Sequence, residues 1–382
     1  MIIYFIFLLL AYQLLEFIII SLVDLIKYKV SINEFIQRFS IYPSKLQKDI
    51  LLYGVSCGET ILLKPLCEEL EKKNKTYITC SQTLSSYRLN KFSKYKILLP
   101  FDNLITMFFL FYKISPKYVI ISERDTRFFF ILWAKLFRSK IYFINYEKKI
   151  KKYFSIMDNF HYLISDLIFL KEDTANFDKY IFIDNLKWLS RSSTDIIKLN
   201  KLTIVIASAN KEEIDLHIKF IKEFNNYKII YVPRYLNWED LLRSKLTDIN
   251  YFWLTKNSQL ELIESNNLTI VWSYGLLLKL FSMSHICLMG NTFFSKKGGH
   301  NLVEPAVNAN SIILGPDYAT CKDLADSLNI TYCNNYSDLV IKTRNLINSN
   351  EYINQGIVNK NITLNKQKLI KQKLINIIDL FI

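Results

Sequence analysis

Short β-branched runs alternate with longer helical patterns along most of the chain, and this alternation predicts an α/β protein with two parallel-sheet domains behind an apolar N-terminal segment. The pattern starts near residue 50 and restarts near residue 200, after the polar stretch Ser190–Asn200. A length of 382 residues fits about two domains, each able to bury its own core. The hydrophobic fraction of 51% and aromatic fraction of 15% exclude a disordered chain, and a charged fraction of 22% is ordinary for a folded one.

Taken in order, Met1 to Tyr12 is almost wholly apolar, and that character continues to Ile26, interrupted by Gln13, Glu16, Ser21 and Asp24. The segment is long enough to span a bilayer, which needs about 20 residues. Glu16 and Asp24 lie near one another on a helical wheel, so an amphipathic anchor lying in the interface is the alternative. A cleaved signal peptide fits less well, because there is no basic stretch before the apolar block and no small-residue cleavage site after it. Lys27, Lys29, Arg38, Lys45 and Lys48 then place the remaining chain on the cytoplasmic side.

Leu51–Val55, Thr76–Cys80, Tyr118–Ser122 and Lys140–Ile144 read as strands of a first sheet, with Thr60–Lys72 as the helix after the first strand. After Asp184-Asn185 and the polar stretch, Leu202–Ala207, Lys228–Val232, Leu268–Trp272, Ile286–Met289 and Ser311–Leu314 read as a second set. Asn350–Ile382, rich in Lys and Asn with periodic Ile and Leu, reads as a helical tail. The expected organisation is an anchor over 1–27, a Rossmann-like domain over 28–189, and a second over 190–382 that includes the tail. Such sheets bind ligands at the C-terminal ends of their strands, here facing between the two halves.

Lys+Arg 49 against Asp+Glu 35 gives a net charge of +14, which attracts nucleic acid, an anionic membrane or phosphorylated substrates. The basic residues are spread along the chain and no nucleic-acid-binding module is recognisable. Serine-hydrolase and P-loop signatures are also missing. Six cysteines form no C-x-x-C pair, and His161, His217, His285 and His300 show no metal-binding spacing, so no protein-bound metal is expected.

Chemistry is sought in the loops after the strands. Only eight glycines occur, well below the average usage of about 7%, yet Gly275, Gly290, Gly298, Gly299 and Gly315 share one short segment. Within it lies Gly298-Gly299-His300-Asn301-Leu302-Val303-Glu304-Pro305. Adjacent glycines and a following helix N-terminus suit a phosphate, and an ordinary Gly-Gly turn with a capped helix explains them as well. Glu304 can accept hydrogen bonds from ribose hydroxyls. Either Asn301 caps the helix with Glu304 at its third position, or Glu304 is the cap with Pro305 at the first.

Glu59, in Ser56-Cys57-Gly58-Glu59 after the first strand, is a candidate general base or simply an acid favoured by the helix dipole. Glu123, in Ser122-Glu123-Arg124-Asp125, also follows a strand; its bland role is an ion pair with Arg124 or Arg127. Lys187, after Asn185-Leu186, can neutralise a leaving phosphate or serve as a surface lysine. Pro233-Arg234 ends a strand of the second half, where a guanidinium can grip a phosphate or a cytosine edge. Trp272-Ser273-Tyr274-Gly275 offers a backbone N–H to a base or phosphate, or is a plain turn.

In this order the pieces resemble the 3-deoxy-D-manno-octulosonic acid (Kdo) transferases of lipopolysaccharide synthesis. The likeness runs through Arg38-Phe39 to Pro43, Val55-Ser56-Cys57-Gly58-Glu59, Leu99-Pro100-Phe101-Asp102, Pro116-Lys117-Tyr118 and Glu123. It continues through Lys171-Glu172-Asp173, Leu186-Lys187, Val232-Pro233-Arg234, the Gly298 to Pro305 run and Leu314-Gly315-Pro316.

The resemblance implies an α/β, GT-B protein: two Rossmann-like domains facing a central cleft, with an N-terminal membrane-anchor helix. The first domain would bind the acceptor and the second the nucleotide sugar. The implied activity is metal-independent, inverting transfer of Kdo from CMP-Kdo to a tetra-acylated lipid A precursor (lipid IVA), with no cofactor besides the donor. The implied location is the bacterial inner membrane, with the catalytic domains on its cytoplasmic face. By position Glu59 would be the general base, and Glu123 and Lys187 would stabilise the transition state. CMP would contact Pro233, Arg234, Tyr274, Gly275, Leu276, Asn301, Leu302, Val303 and Glu304. Three segments depart from the family pattern: Leu276 stands where an acidic residue is usual, Glu123-Arg124-Asp125-Thr126-Arg127 replaces Glu-Thr-Glu-Leu-Trp, and the Arg-rich loop after Asn145 is shortened. A non-catalytic lipid-binding homologue and a GT-B enzyme with another nucleotide sugar stay open as alternatives.

Overall fold

The computed structural model describes residues 11, 13, 15–27, 29–42, 46–125, 127–147, 152–172, 178–190, 195–255, 260–294 and 298–379. The chain divides into two compact units: Met1–Ser190 with Leu369–Ile382, and Arg191–Lys368. Of the sequence expectations, Met1–Leu10, Tyr12 and Leu14 of the anchor, the motif residues Pro43, Thr126 and Asp173, Lys45, and residues 191–194 of the polar stretch lie outside the described residues.

The first unit holds seven parallel strands: β1 (Ile50–Gly54), β2 (Tyr77–Ser81), β3 (Lys96–Leu98), β4 (Tyr118–Ser122), β5 (Lys140–Tyr146), β6 (Leu167–Leu170) and β7 (Tyr180–Phe182). Their order is β3-β2-β1-β4-β5-β6-β7, so the winding reverses between β1 and β4. Strands buried on both faces read as nearly unbroken apolar runs, which is why β1, β4 and β5 were legible. β3, β6 and β7 have only three or four residues, too few to show a period.

The second unit repeats the plan with β8 (Thr203–Ala209), β9 (Lys228–Pro233), β10 (Phe252–Leu254), β11 (Leu268–Val271), β12 (Ile286–Met289), β13 (Ser311–Leu314) and β14 (Ile330–Tyr332). The order β10-β11-β9-β8-β12-β13-β14 puts its reversal between β8 and β12. Each unit has its own core, with Leu51, Val119 and Phe143 in the first and Ile206, Tyr231 and Leu288 in the second.

Two expectations need correction. The helix expected over Thr60–Lys72 is two helices, Cys57–Leu62 and Lys64–Lys72. Pro65 has no N–H to donate back to the preceding turn, so the chain breaks at Leu63. The tail is one helix, Glu351–Asp379, but from Leu369 onward it groups with the first unit. There Ile370, Leu374, Ile377 and Ile378 are buried, and Asp379 pairs with Lys73.

The apolar segment is described from Ala11 onward, without Tyr12 and Leu14. Residues 15–22 are helical and continue into a π-helix, Val23–Lys27. Among the described residues no helix is long and apolar enough to cross a membrane. The acidic interruptions point into the first unit. Glu16 pairs with Arg127 and accepts the Asp102 N–H at 2.9 Å, and Asp24 pairs with Arg38 at 2.9 Å. Arg38 also donates to the Leu99 carbonyl at 2.7 Å. Burial pushes the Asp24 carboxyl up and the Arg38 guanidinium down, and each charge offsets the shift of the other.

Removing one member of such a buried pair strands the other. Arg38→Met is therefore expected to destabilise the first unit by about 3–5 kcal/mol, read as an earlier unfolding transition in urea.

Candidate active site

In a doubly wound sheet the strand-order reversal opens a crevice at the strands' C-terminal ends. In the first unit, β1 and β4 flank that reversal, Glu59 follows β1, and Glu123 follows β4.

Ser56 is the N-cap of helix Cys57–Leu62 and accepts the Glu59 N–H at 3.3 Å. Glu59 turns back over this end. Its Oε2 accepts the Val55 N–H at 2.8 Å, and its Oε1 accepts the Ser56 hydroxyl at 3.1 Å. The carboxylate thus acts as a helix-terminal acid and still sits half-buried at the strand end. Burial pushes its pKa up, the Val55 N–H pulls it down, and the negative charges of Glu123 and Asp125 push it up again.

Glu123 has left-handed backbone, φ 62°, and its N–H donates to the Ile144 carbonyl at 2.8 Å. Asn145, also left-handed, donates from Nδ2 to Glu123 Oε1 at 3.3 Å. Its Oδ1 accepts the Leu186 N–H at 2.8 Å. One amide therefore ties the Glu123 turn to the 3-10 turn Leu186–Leu189 that carries Lys187. That turn packs beside helix Cys57–Leu62, so the segments bearing Glu59, Glu123 and Lys187 converge. The two neighbouring arginines pair elsewhere, Arg124 with Asp158 and Arg127 with Glu16.

In the second unit, the residues after β9, β11 and β12 come together. Pro233 ends β9 beside Ala209, and the Arg234 N–H donates to the Ala209 carbonyl at 2.8 Å, leaving the guanidinium exposed. Tyr274, after β11, accepts the Leu236 N–H on its hydroxyl at 3.3 Å. Gly275 has φ +90°, and Leu276 precedes helix Leu277–Met283 without a side-chain cap. The His300 imidazole is held neutral, its pKa pushed down to about 4 by burial and then by the Arg234 charge. This places the run after β12 next to the end of β9.

Neither helix register expected around Glu304 occurs. The helix is Val303–Val307, with Leu302 at the N-cap position, Glu304 second and Pro305 third. Asn301 lies one residue earlier and accepts the Val303 N–H at 3.0 Å. Leu302 and Val303 are buried, while Asn301 and Glu304 are partly exposed. The two glycines are demanded by packing. A Cβ on Gly298 would lie 2.0 Å from the Asn291 carbonyl oxygen and 2.2 Å from that of Asp317. Gly299, at φ +103°, abuts the Cys321 sulfur.

Sequence reasoning missed what holds this region. Glu213, buried at the start of the helical stretch after β8, accepts the N–H groups of Asn291 and, at 2.7 Å, Phe293. Asn210 donates to Asn291 Oδ1 at 2.9 Å. The loop after β12 is therefore fastened to the end of β8, across the reversal of the second sheet. The only sequence signal was an acidic pair, Glu212-Glu213, just after a strand.

Two doubly wound α/β units in one chain make up the GT-B fold. Solved structures share the fold: a UDP-GlcNAc 2-epimerase from Neisseria meningitidis bound to UDP-GlcNAc has a TM-score of 0.60 at 14% identity, over 86% of this chain and 99% of that one. A glycosyltransferase from Rickettsia africae also reaches 0.60 at 14% identity, over 89% and 99%. Residues 33–174 match the family model for 3-deoxy-D-manno-octulosonic-acid transferase (kdotransferase). The 3-deoxy-D-manno-octulosonic acid transferase of Aquifex aeolicus is 28% identical over 313 residues, covering 77% of this chain and 84% of its own length. The family-model match and the relatives at 24–28% identity together support a Kdo transferase.

Three outcomes follow from this geometry. A base works ionised, so activity that depends on Glu59 falls as pH drops through its raised pKa, and the acid limb lies above the ordinary glutamate value. Glu123→Gln removes a nearby negative charge and is expected to move that limb to lower pH, whatever it does to the maximal rate. Gly298→Ala forces backbone atoms apart and is expected to destabilise the second unit by about 3 kcal/mol, measured by chemical denaturation.

Proposed function

We propose that this chain transfers Kdo from CMP-Kdo to a lipid A precursor, lipid IVA, with inversion at the anomeric carbon. The observation that carries the proposal is the carboxylate site of the first unit. Glu59, its pKa raised, stands at the sheet's reversal point beside Glu123 and the Lys187 turn, in a chain whose residues 33–174 match the Kdo transferase family model.

Glu59 accepts the proton of an acceptor sugar hydroxyl as the hydroxyl oxygen bonds to the anomeric carbon. The bond from that carbon to the donor phosphate breaks, and CMP leaves with the electron pair. Glu123 and Lys187 stabilise the charge that develops in the transition state. In the second unit Arg234 grips the phosphate, Pro233 and the Tyr274-Gly275-Leu276 segment contact the nucleotide, and Asn301 through Glu304 hold the ribose. No metal is assigned a role.

Attachment to the bacterial inner membrane, from its cytoplasmic face, completes the proposal. The acidic residues of the N-terminal segment point into the first unit, while Ile18, Ile19, Leu22 and Ile26 stay exposed. Leu104, Ile105, Phe109 and Tyr112 of helix Leu104–Ile114 are exposed as well. Apolar surface of this kind beside a net charge of +14 suits an anionic lipid surface.

The test is to incubate membranes carrying the full chain with CMP-Kdo and lipid IVA. The wild type is expected to transfer the sugar, and Glu59→Ala to lose about 10²–10⁴ in rate. No transfer by the wild type, or full activity in Glu59→Ala, would overturn the reading. Replacing Ile19 and Leu22 together by Glu is expected to cut binding to vesicles containing phosphatidylglycerol by at least about ten-fold.

A further inference from the structure

The turn after β4 carries two arginines in sequence with its acids, and each arginine is anchored outward. Arg124 pairs with Asp158 of helix Lys152–Ile164 at 2.7 Å. Asp158 also accepts the Tyr146 hydroxyl at 2.6 Å, and that hydroxyl lies 2.9 Å from His161 Nδ1. The Arg124 guanidinium rests 5.5 Å from the centre of the Tyr146 ring. On the other flank, Arg127 pairs with Glu16 of the N-terminal helix, and its Nε lies 4.0 Å from Asp125 Oδ2. Asp125 in turn accepts the Tyr53 hydroxyl from β1. Glu16 is fixed by the Asp102 N–H, and Asp102 by the Phe130 N–H at 2.9 Å.

Just before these anchors Glu123 adopts a left-handed backbone, which costs a non-glycine residue about 1–3 kcal/mol and persists only where the surroundings enforce it. The acids of this region also repel one another, as the influence of Glu123 and Asp125 on Glu59 shows. The two guanidinium groups supply both what the turn lacks, a rigid hold and balancing positive charge.

We infer that Arg124 and Arg127 are positioning residues that clamp the Glu123–Asp125 turn from opposite flanks, with Glu16 of the N-terminal helix as the outer anchor of Arg127. The segment assigned to membrane attachment is therefore also a structural part of the carboxylate site. Cutting it away to obtain a soluble enzyme loosens the turn. The consequence for catalysis rests on the proposed roles of Glu59 and Glu123; the clamp itself does not.

The test uses the full chain and the variants Glu16→Gln, Arg127→Met, Arg127→Lys and Asp158→Asn. Hydrogen exchange at the Glu123 and Asp125 amides is expected to rise about ten-fold or more in Glu16→Gln, Arg127→Met and Asp158→Asn, with helix Ile214–Glu223 of the second unit unchanged. In transfer assays kcat is expected to fall about ten-fold or more with the CMP-Kdo KM within about two-fold, and Arg127→Lys to recover part of the loss. Wild-type exchange at Glu123 and Asp125 in a folded Arg127→Met or Glu16→Gln protein would overturn the clamp, and a raised donor KM at unchanged kcat would overturn its consequence for catalysis. If Arg127→Met does not fold, the near-isosteric Glu16→Gln decides. If the wild type transfers no sugar, the functional proposal fails while the exchange result still decides the clamp.

Discussion

A carboxylate half-withdrawn from water is the constraint around which the first unit is arranged. Glu59 is held by the Val55 amide and the Ser56 hydroxyl, so it has a fixed direction, while burial and two neighbouring acids keep its proton affinity high. Those acids stay close because the winding of the sheet reverses between β1 and β4, bringing the two strand ends side by side. Moving the reversal by one strand would separate Glu59 from Glu123 and leave an ordinary helix-capping glutamate.

The sequence made this much legible for a physical reason. β1, β4, β5, β12 and β13 are continuous apolar runs, and strand-end acids stand out against them. What it hid is what an amino-acid string does not encode locally. The left-handed turns at Glu123 and Asn145 occur at residues with no glycine signal. The partner of Arg127 lies far back at Glu16, and the acid that fastens the loop after β12 lies far back at Glu213. The Gly298-Gly299 pair stands out in a glycine-poor chain, and the closest approach to it is that of neighbouring protein backbone. Its five-residue helix, Val303–Val307, is too short to make a dipole the main attraction for a phosphate.

The N-terminal segment shows how one residue can support two readings. Glu16 and Asp24 look, on a helical wheel, like the polar stripe of an interfacial helix. In the folded chain they face inward onto Arg127 and Arg38, and the apolar residues face outward. Buried ion pairs of this kind are costly to desolvate and sensitive to loss of either member, so they fix where the segment sits more than they add stability. Arg124 and Arg127 fit the same terms, since each meets a buried carboxylate.

The central claim is inverting transfer driven by Glu59 as base. It is tested most directly by the anomeric configuration of the product formed from CMP-Kdo and lipid IVA, determined by NMR. The account expects a single product, inverted relative to the donor and formed by the wild type but not by Glu59→Ala. A product of retained configuration would contradict it.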